Sequence, residues 1–343
     1  MLKRKIDFDM KTPARIVVIP TLQESFEQYL ADRRDLRPAT VYVYKEVIKR
    51  AGSLLNLPIN QIKYSDIKHL YSCLRYDQQY KPASIELLNS VLMPIFNLAL
   101  RDGLIKTNPV KGVYREVARG PEWKSHRKNA ISIQEQEEFL NFIHNSEEYK
   151  HWENFFVFLF GTGVRIGEAV ALRWEDIDFE NKMIEIRRSA YYVNGSFVEG
   201  PPKTEAGIRS IPMFDKVAKA LKKEKQIALL VRPTSEKNIP GKTGLVFVSS
   251  KGTMLYTSTV NNTIVNIIKA HNNMYPEKEI QKFSVHQIRH SFCSRLVDQD
   301  VNIKVIQSIM GHSDFQTTMD VYAHVSEKKK KEAFKALEGK LIL

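Results

Sequence analysis

His286-Gln287-Ile288-Arg289-His290 sets two histidines around an arginine in a stretch whose apolar residues, Ile288, Phe292 and Leu296, recur at helical spacing. His286 and Arg289, three residues apart, would share a helix face and reach one anion. Histidines at i and i+4 also match the spacing of zinc-binding helices. Here Gln287 stands where a metalloprotease needs glutamate, and Arg289 would set a guanidinium beside a divalent cation. A phosphate suits this helix better, and no metal is expected. Taken alone, a surface ion pair for Arg289 and a satisfied polar role for His286 remain the simpler assignment.

Other residues change that balance. Arg165 follows the glycine turn Gly161-Thr162-Gly163 at the start of a predicted helix, where backbone N–H groups and the helix dipole favour anions. Glu168, three residues on, could lock its guanidinium; a plain surface arginine is the alternative. Lys203 lies in a Pro201-Pro202-Lys203-Thr204 loop, exposed enough to enter a DNA groove or simply solvated. Gly311-His312 follows a short predicted helix, a place equally suited to ordinary capping. Tyr322 ends Thr317-Thr318-Met319-Asp320-Val321-Tyr322 and would by itself read as half-buried core. Together these residue types fit the attack of a tyrosine on a phosphodiester. Arginines can hold the non-bridging oxygens where charge builds up. Histidines and a lysine can move protons, which a tyrosine hydroxyl with a pKa near 10 requires of its neighbours.

The chain's 343 residues are comfortable for two domains, and a hydrophobic content of 43% lets each bury a core. The formal net charge of +13 suits a polyanionic partner, although basic soluble proteins are common. Cys73 and Cys293 belong to no CxxC pair, so both are expected as small buried hydrophobes rather than metal ligands or disulfide partners. No N-terminal apolar segment precedes Lys11, and the run Phe155 to Phe160 is too short to span a bilayer, so a soluble, cytoplasmic protein without membrane partners is expected. Gly161-Thr162-Gly163 with Gly167 has the wrong spacing for a dinucleotide loop. Gly241-Lys242-Thr243 lacks the upstream glycine of a P-loop, where Glu236 stands.

Residues 1–20 read as an arm or remnant. Four helices are then predicted over 21–113: from Thr21 (Leu22, Phe26, Tyr29 and Leu30 inward), after Pro38 (Val43, Val47, Ile48, Ala51, Leu54 and Leu55), from about Asp66 (Ile67, Leu70, Tyr71 and Leu74), and near Ser84 (Ile85 through Ala99). Gly103 and Asn108-Pro109 end that series. Residues 114–128, with Arg115, Arg119, Lys124, Arg127 and Lys128, read as an exposed basic linker, either a strap along nucleic acid or an ordinary connector. A second domain over 129–325 opens with the capping box Ser132-Ile133-Gln134-Glu135. It adds strands at Met183 to Ile186, Tyr191 to Val193 before the Asn194-Gly195 turn, and an edge strand at Ile208 to Pro212. Residues 326–343 read as a tail helix. The expected class is mainly α with a small antiparallel β-sheet: an N-terminal helical domain followed by a mixed α/β domain.

In this order and spacing the motifs resemble the tyrosine recombinases, the phage-integrase family. The residues that carry the resemblance are Thr162-Gly163-Val164-Arg165-Ile166-Gly167-Glu168, Pro202-Lys203-Thr204 with Arg209, His286 to His290, Gly311-His312, and Thr317 to His324. The N-terminal helices resemble the family's core-binding domain. The resemblance implies that Arg165 and Arg289 clamp the scissile phosphate and that Lys203 protonates the departing 5′ oxygen. His286 and His312 would assist proton transfer and phosphate binding, Glu168 would support Arg165, His290 would be structural, and Tyr322 would form a 3′-phosphotyrosine link. It implies no metal or nucleotide cofactor. The implied partners are double-stranded DNA recombination sites, a homotetramer on DNA, and excisionase or DNA-bending accessory proteins, with the tail helix a candidate for exchange between subunits. Many integrases of phages and conjugative transposons carry an extra arm-site domain in front. The roughly twenty residues here are too few for one, so the expectation is a protein that lacks it or has been trimmed. The alternatives are a chromosome- or plasmid-resolving recombinase, a type IB topoisomerase-like enzyme, and a catalytically inactive DNA-binding protein.

Overall fold

The computed structural model describes residues 19–118, 130–193, 195–231, 244–314 and 319. They fall into two compact units, one ending before and one beginning after the 119–129 stretch. In the first unit, α1 (Leu22–Asp32) starts at a reciprocal capping box: Thr21 Oγ accepts from the Glu24 N–H, and a Glu24 carboxylate oxygen accepts from the Thr21 N–H at 2.8 Å. α2 (Pro38–Ile48) has proline in its first turn and is followed by α3 (Tyr64–Ser72), α4 (Pro82–Arg101) and the short α5 (Val113–Val117). α4 is the spine of this unit. It is long and apolar enough to cross a membrane by length and composition alone, but Ile85, Leu88, Val91, Leu92, Ile95, Phe96 and Ala99 are buried in the unit's core. Asn108 donates to the Met93 carbonyl and to Asn97, tying the connection after α4 back onto that helix.

Three expectations are corrected here. The helix after Pro38 does not run through Leu55. It gives way to a 3-10 segment, Lys49–Asn56, broken at Gly52, whose φ of 57° no α-helix accommodates. Within α2 itself Val43 is exposed, while Val47, Ile48 and, beyond its end, Ala51 are buried. The basic connector does not begin at Tyr114, because α5 continues to Val117. Val113 and Val117 are buried, since their spacing of four presents both to the core beside α3. Cys73 is half-buried rather than buried, and Cys293 is buried as expected.

The second unit opens with α6 (Ile133–Asn145), capped by Ser132 and Glu135 as its sequence predicts. α7 (Glu153–Thr162) stops at Gly163, which takes the left-handed conformation (φ 60°). A Cβ there would lie 2.4 Å from the Phe292 ring, so glycine is needed on both counts. α8 (Ile166–Val170) follows immediately. β1 (Ile177–Asp178), β2 (Met183–Ile186) and β5 (Arg209–Pro212) form an antiparallel sheet in the order β1-β2-β5, with Ile186 opposite Arg209. β3 (Ser189–Val193) and β4 (Ser196–Gly200) form a separate hairpin. The small antiparallel β structure expected is present, divided among the described residues into two sheets: Arg187 and Arg188 separate β2 from β3, and β2 pairs with β1 and β5. α9 (Asp215–Val231), α10 (Thr257–Met274), α11 (Val285–Asp298) and α12 (Ile303–Met310) complete the described elements. Phe139 of α6 meets Phe156 of α7 and Phe283 edge-on, with centroids 5.2 and 5.1 Å apart, at the centre of this core.

Candidate active site

α8 is only five residues long, yet it supplies two charged groups. Arg165 is its N-cap, and the Glu168 carboxylate caps the turn from one side by accepting the Arg165 backbone N–H at 2.9 Å. The same carboxylate accepts from Arg165 Nη1 at 2.9 Å, the i+3 lock that the sequence suggests. Glu168 is 2% exposed, whereas the Arg165 side chain is 41% exposed, so one face of that guanidinium is open to a ligand. Close approach of α8 to β3 depends on Gly167, where a Cβ would fall 2.7 Å from the Ala190 carbonyl and from Ser189 Oγ.

Arg209, which the sequence motif includes without a role, is the residue that organises this corner. It alternates inward with Ile211 along β5 and is 8% exposed. Its Nη1 and Nη2 reach the two Glu168 oxygens at 3.1 and 2.9 Å, a bidentate pair. An arginine in phase with a buried isoleucine on a short strand was the available sequence signal. Burial alone would raise the Glu168 carboxyl. The Arg209 hydrogen bonds and charge, with the Arg165 N–H and guanidinium, outweigh it and hold Glu168 below the ordinary carboxylate range.

α11 brings Arg289, 4% exposed, to the same place. Its Nη1 donates to the Gly163 carbonyl at 2.9 Å and its Nη2 to the Met310 carbonyl. Arg209 Nε donates to the Ile309 carbonyl at 2.6 Å, and Arg165 Nη2 to the Gly311 carbonyl at 2.8 Å. Three successive carbonyls at the end of α12 are therefore each held by a different arginine. Those carbonyls have no partner within the helix and carry the negative end of its dipole. Burial, followed by the charge of Arg165, pushes the Arg289 guanidinium down to about 9, so it is still a cation at neutral pH.

This cradle delivers His312. Gly311 adopts φ 62° to end α12, and His312 follows, half-buried, with its N–H on the Gln307 carbonyl at 3.2 Å. Burial first, then Arg289, Arg165, Arg209 and His286, push the His312 imidazole down to about 4, so at neutral pH it is an uncharged acceptor of protons. His286 stands exposed on the first turn of α11, and His290 is half-buried one turn further along. Lys203 is exposed on the loop between β4 and β5. The far end of that loop touches the cradle, because a Cβ on Gly311 would lie 2.8 Å from the Ala206 carbonyl and 3.0 Å from Arg209 Nη1. Tyr322 and the tail helix lie outside the described residues.

Gly311→Ala tests the cradle without removing a charged group. The left-handed backbone alone costs a non-glycine residue roughly 1–3 kcal/mol, and the contact with Ala206 adds to it. The urea midpoint is expected to fall at unchanged m-value; a variant as stable as the parent would show that the end of α12 is not held as described.

Three guanidinium charges meet one carboxylate here, leaving two positive charges uncompensated beside an uncharged imidazole. A phosphodiester carries one negative charge, and the five-coordinate arrangement reached when an oxygen attacks it carries two. The cluster thus matches the charge of the transition state better than that of the ground state.

Comparison with known proteins gives the family. Residues 130–329 match the model of the phage integrase family, and residues 21–74 match that of the phage integrase N-terminal SAM-like domain. A tyrosine recombinase XerC-like protein of Caldanaerobacter subterraneus subsp. tengcongensis is 29% identical over 327 residues, covering 90% of this chain and 80% of the relative. The transposase of transposon Tn916 from Enterococcus faecalis is 26% identical over 78% of this chain; the chain spans 64% of that relative. Among solved structures, the Tn1549 transposon integrase in complex with transposon right end DNA superposes with a TM-score of 0.82 at 25% identity. That match covers 93% of this chain and 99% of the other.

Proposed function

The chain belongs to the phage integrase family and is a tyrosine recombinase, a DNA strand-exchange enzyme, and from this we propose that it cuts and rejoins double-stranded DNA sites to integrate or excise a mobile element. The observation that carries the reading is the convergence of Arg165 and Arg289 on the end of α12 beside a neutral His312, with more positive than negative charge at one point. In this proposal both guanidiniums take the non-bridging oxygens of the scissile phosphate. Tyr322 Oη attacks phosphorus, its proton passing toward His312 or His286. The P–O5′ bond breaks as Lys203 gives a proton to O5′, leaving a 3′-phosphotyrosine. Glu168 holds Arg165 in place, and His290 acts within the packing of α11. The phosphotyrosine retains the energy of the broken bond, so rejoining needs no nucleotide cofactor.

Exchange between two duplexes consumes one tyrosine for every strand cut, and each duplex has two strands. The assembly proposed is therefore a homotetramer on DNA, with excisionase or DNA-bending proteins as accessory partners and the cytoplasm as its location. Residues 21–113, extended by α5, serve as the core-binding half of the DNA clamp, and residues 129–325 as the catalytic half.

A duplex nicked just beyond the scissile phosphate lets the cleaved end diffuse away and traps the covalent intermediate. The wild-type chain should accumulate a protein–DNA adduct stable to denaturation, and Tyr322→Phe should give none. No adduct with the wild-type chain on its own element's ends would remove the proposed chemistry.

A further inference from the structure

We infer that Arg173 and Glu199 form a positioning pair that sets Lys203, the proposed acid, against the phosphate cluster; the inference rests on the role given to Lys203 above. Glu199 lies on β4 opposite Ala190 of β3. Both of its carboxylate oxygens accept from Arg173 Nη2, at 3.0 and 3.2 Å, and Arg188 Nε lies 3.9 Å from one of them. The pair is shielded, with side-chain exposures of 17% for Arg173 and 24% for Glu199. An ion pair of this kind fixes geometry more than an exposed one does, because water competes less for either partner.

Each end of the pair leads to one part of the proposed reaction. Arg173 closely follows α8, which carries Arg165 and Glu168. Its backbone is pinned: its N–H donates to Asp176 at 3.0 Å, it forms an antiparallel bridge with Leu245, and its neighbours Leu172 and Trp174 bond to Val246 and Gly244. Glu199 is the penultimate residue of β4. The chain leaves that strand through Gly200, Pro201 and Pro202 directly into Lys203, and two consecutive prolines restrict how far the direction set at Glu199 can change. Downstream the same loop is seated by Gly207, where a Cβ would fall 2.4 Å from that of Pro202, and by Arg209 on Glu168. Arg209 therefore anchors the loop after Lys203 and the Arg173–Glu199 pair anchors the strand before it. Both anchors lead back to α8. Neither Arg173 nor Glu199 is among the groups proposed to hold the phosphate, so loss of the pair should misplace Lys203 while Arg165, Arg209 and Arg289 keep their charges.

The test uses leaving-group chemistry. Expulsion of a 5′ oxygen needs a proton, whereas a 5′ sulfur leaves as thiolate without one, because thiols ionise near neutral pH. The full-length chain would be assayed on nicked duplexes carrying either oxygen or sulfur at the bridging 5′ position. Glu199→Gln keeps shape and loses charge, and should cleave the oxygen substrate roughly tenfold to a hundredfold slower than wild type, the scale of a small misplacement of a catalytic group. On the sulfur substrate it should match wild type. Arg173→Gln combined with Glu199→Gln should be no slower than Glu199→Gln alone. Slow cleavage of both substrates, or wild-type rates on both, would overturn the positioning role. Lys203→Ala is the control: if sulfur does not restore its cleavage, Lys203 is not the acid, and the premise fails rather than the pair.

Discussion

Glu168→Ala is expected to cost the second unit roughly 3–5 kcal/mol, the scale for removing one partner of a buried ion pair. The Arg209 side chain is 4% exposed and the Glu168 side chain 1%. Without the carboxylate, the Arg209 guanidinium keeps its charge in a place water does not reach, beside two further arginines. Four donors lose Glu168 together: Arg165 N and Nη1, and Arg209 Nη1 and Nη2, of which Arg209 Nη1 keeps the Gly207 carbonyl at 2.9 Å. Against a domain stability of roughly 5–15 kcal/mol this is a large fraction. Glu168→Gln preserves volume and one acceptor oxygen but turns an amide toward donors, so it should be destabilised as well. Trp152 and Trp174 both pack on the core of this unit, so tryptophan fluorescence in urea reads the loss. The pH dependence follows from the depressed folded pKa. The contribution of Glu168 is complete above the ordinary carboxylate value of 4.5 and is lost as pH falls through its lower value in the fold. Both variants should lack that part of the acid transition. An unfolding midpoint for Glu168→Gln equal to that of wild type would mean that the carboxylate is not the counterion of Arg209.

The parts of this site that were legible in the sequence are the local ones. The Arg165–Glu168 pair spans three residues, and α11's buried Ile288 and Phe292 follow from helical spacing. So do the capping box at Ser132 and the apolar face of α4. The parts that were not legible join distant positions. The Arg209–Glu168 pair spans 41 residues and the Arg165–Gly311 bond 146. Neither leaves a periodic trace, because a hydrogen bond between elements constrains no neighbouring residue type. Val43 failed for a different reason. It shares a helix face with buried Val47 on α2, but periodicity marks a face and not how far along the helix the core covers it. The use of three successive α12 carbonyls by three arginines could not be read at all, since backbone acceptors carry no sequence identity. The family motif did contain Arg209, Gly311 and His312. It is their adjacency in space that explains why a glycine and an extra arginine travel with the phosphate-binding groups.

Arg289→Lys should lower the rate of covalent adduct formation by about 10²–10³, the usual scale for losing a preorganised charged donor at a developing oxyanion. Arg289 spends Nη1 on the Gly163 carbonyl and Nη2 on the Met310 carbonyl; those two bonds fix the plane of its fork and, in the role proposed for it, would preset the remaining N–H groups for a phosphate oxygen. A lysine keeps the charge but is a single point that cannot bridge both carbonyls and also meet an oxygen. Charge alone would therefore not restore the rate, and a lysine variant that cleaves as fast as wild type would show that the fork geometry is irrelevant. Arg289→Ala carries a second, independent signature at His312. After burial, the charge of Arg289 is the largest cause that holds this imidazole down at about 4, against an ordinary value of 6.5. Removing that charge should raise the His312 pKa, measurable by NMR titration of the free protein. The sign for stability is fixed by the same shift. The unfolded chain takes up the His312 proton before the folded one does, so stability is complete above about 6.5 and declines as pH falls toward about 4. In Arg289→Ala that window should narrow from its acid end. A bound phosphate would act in the same direction as the substitution, offsetting the arginines' charge and raising the pKa of His312 when the DNA backbone is in place. His312 would then be an acceptor in the free protein and better able to hold a proton once substrate is bound, which suits a group that takes a proton in cleavage and returns it on rejoining.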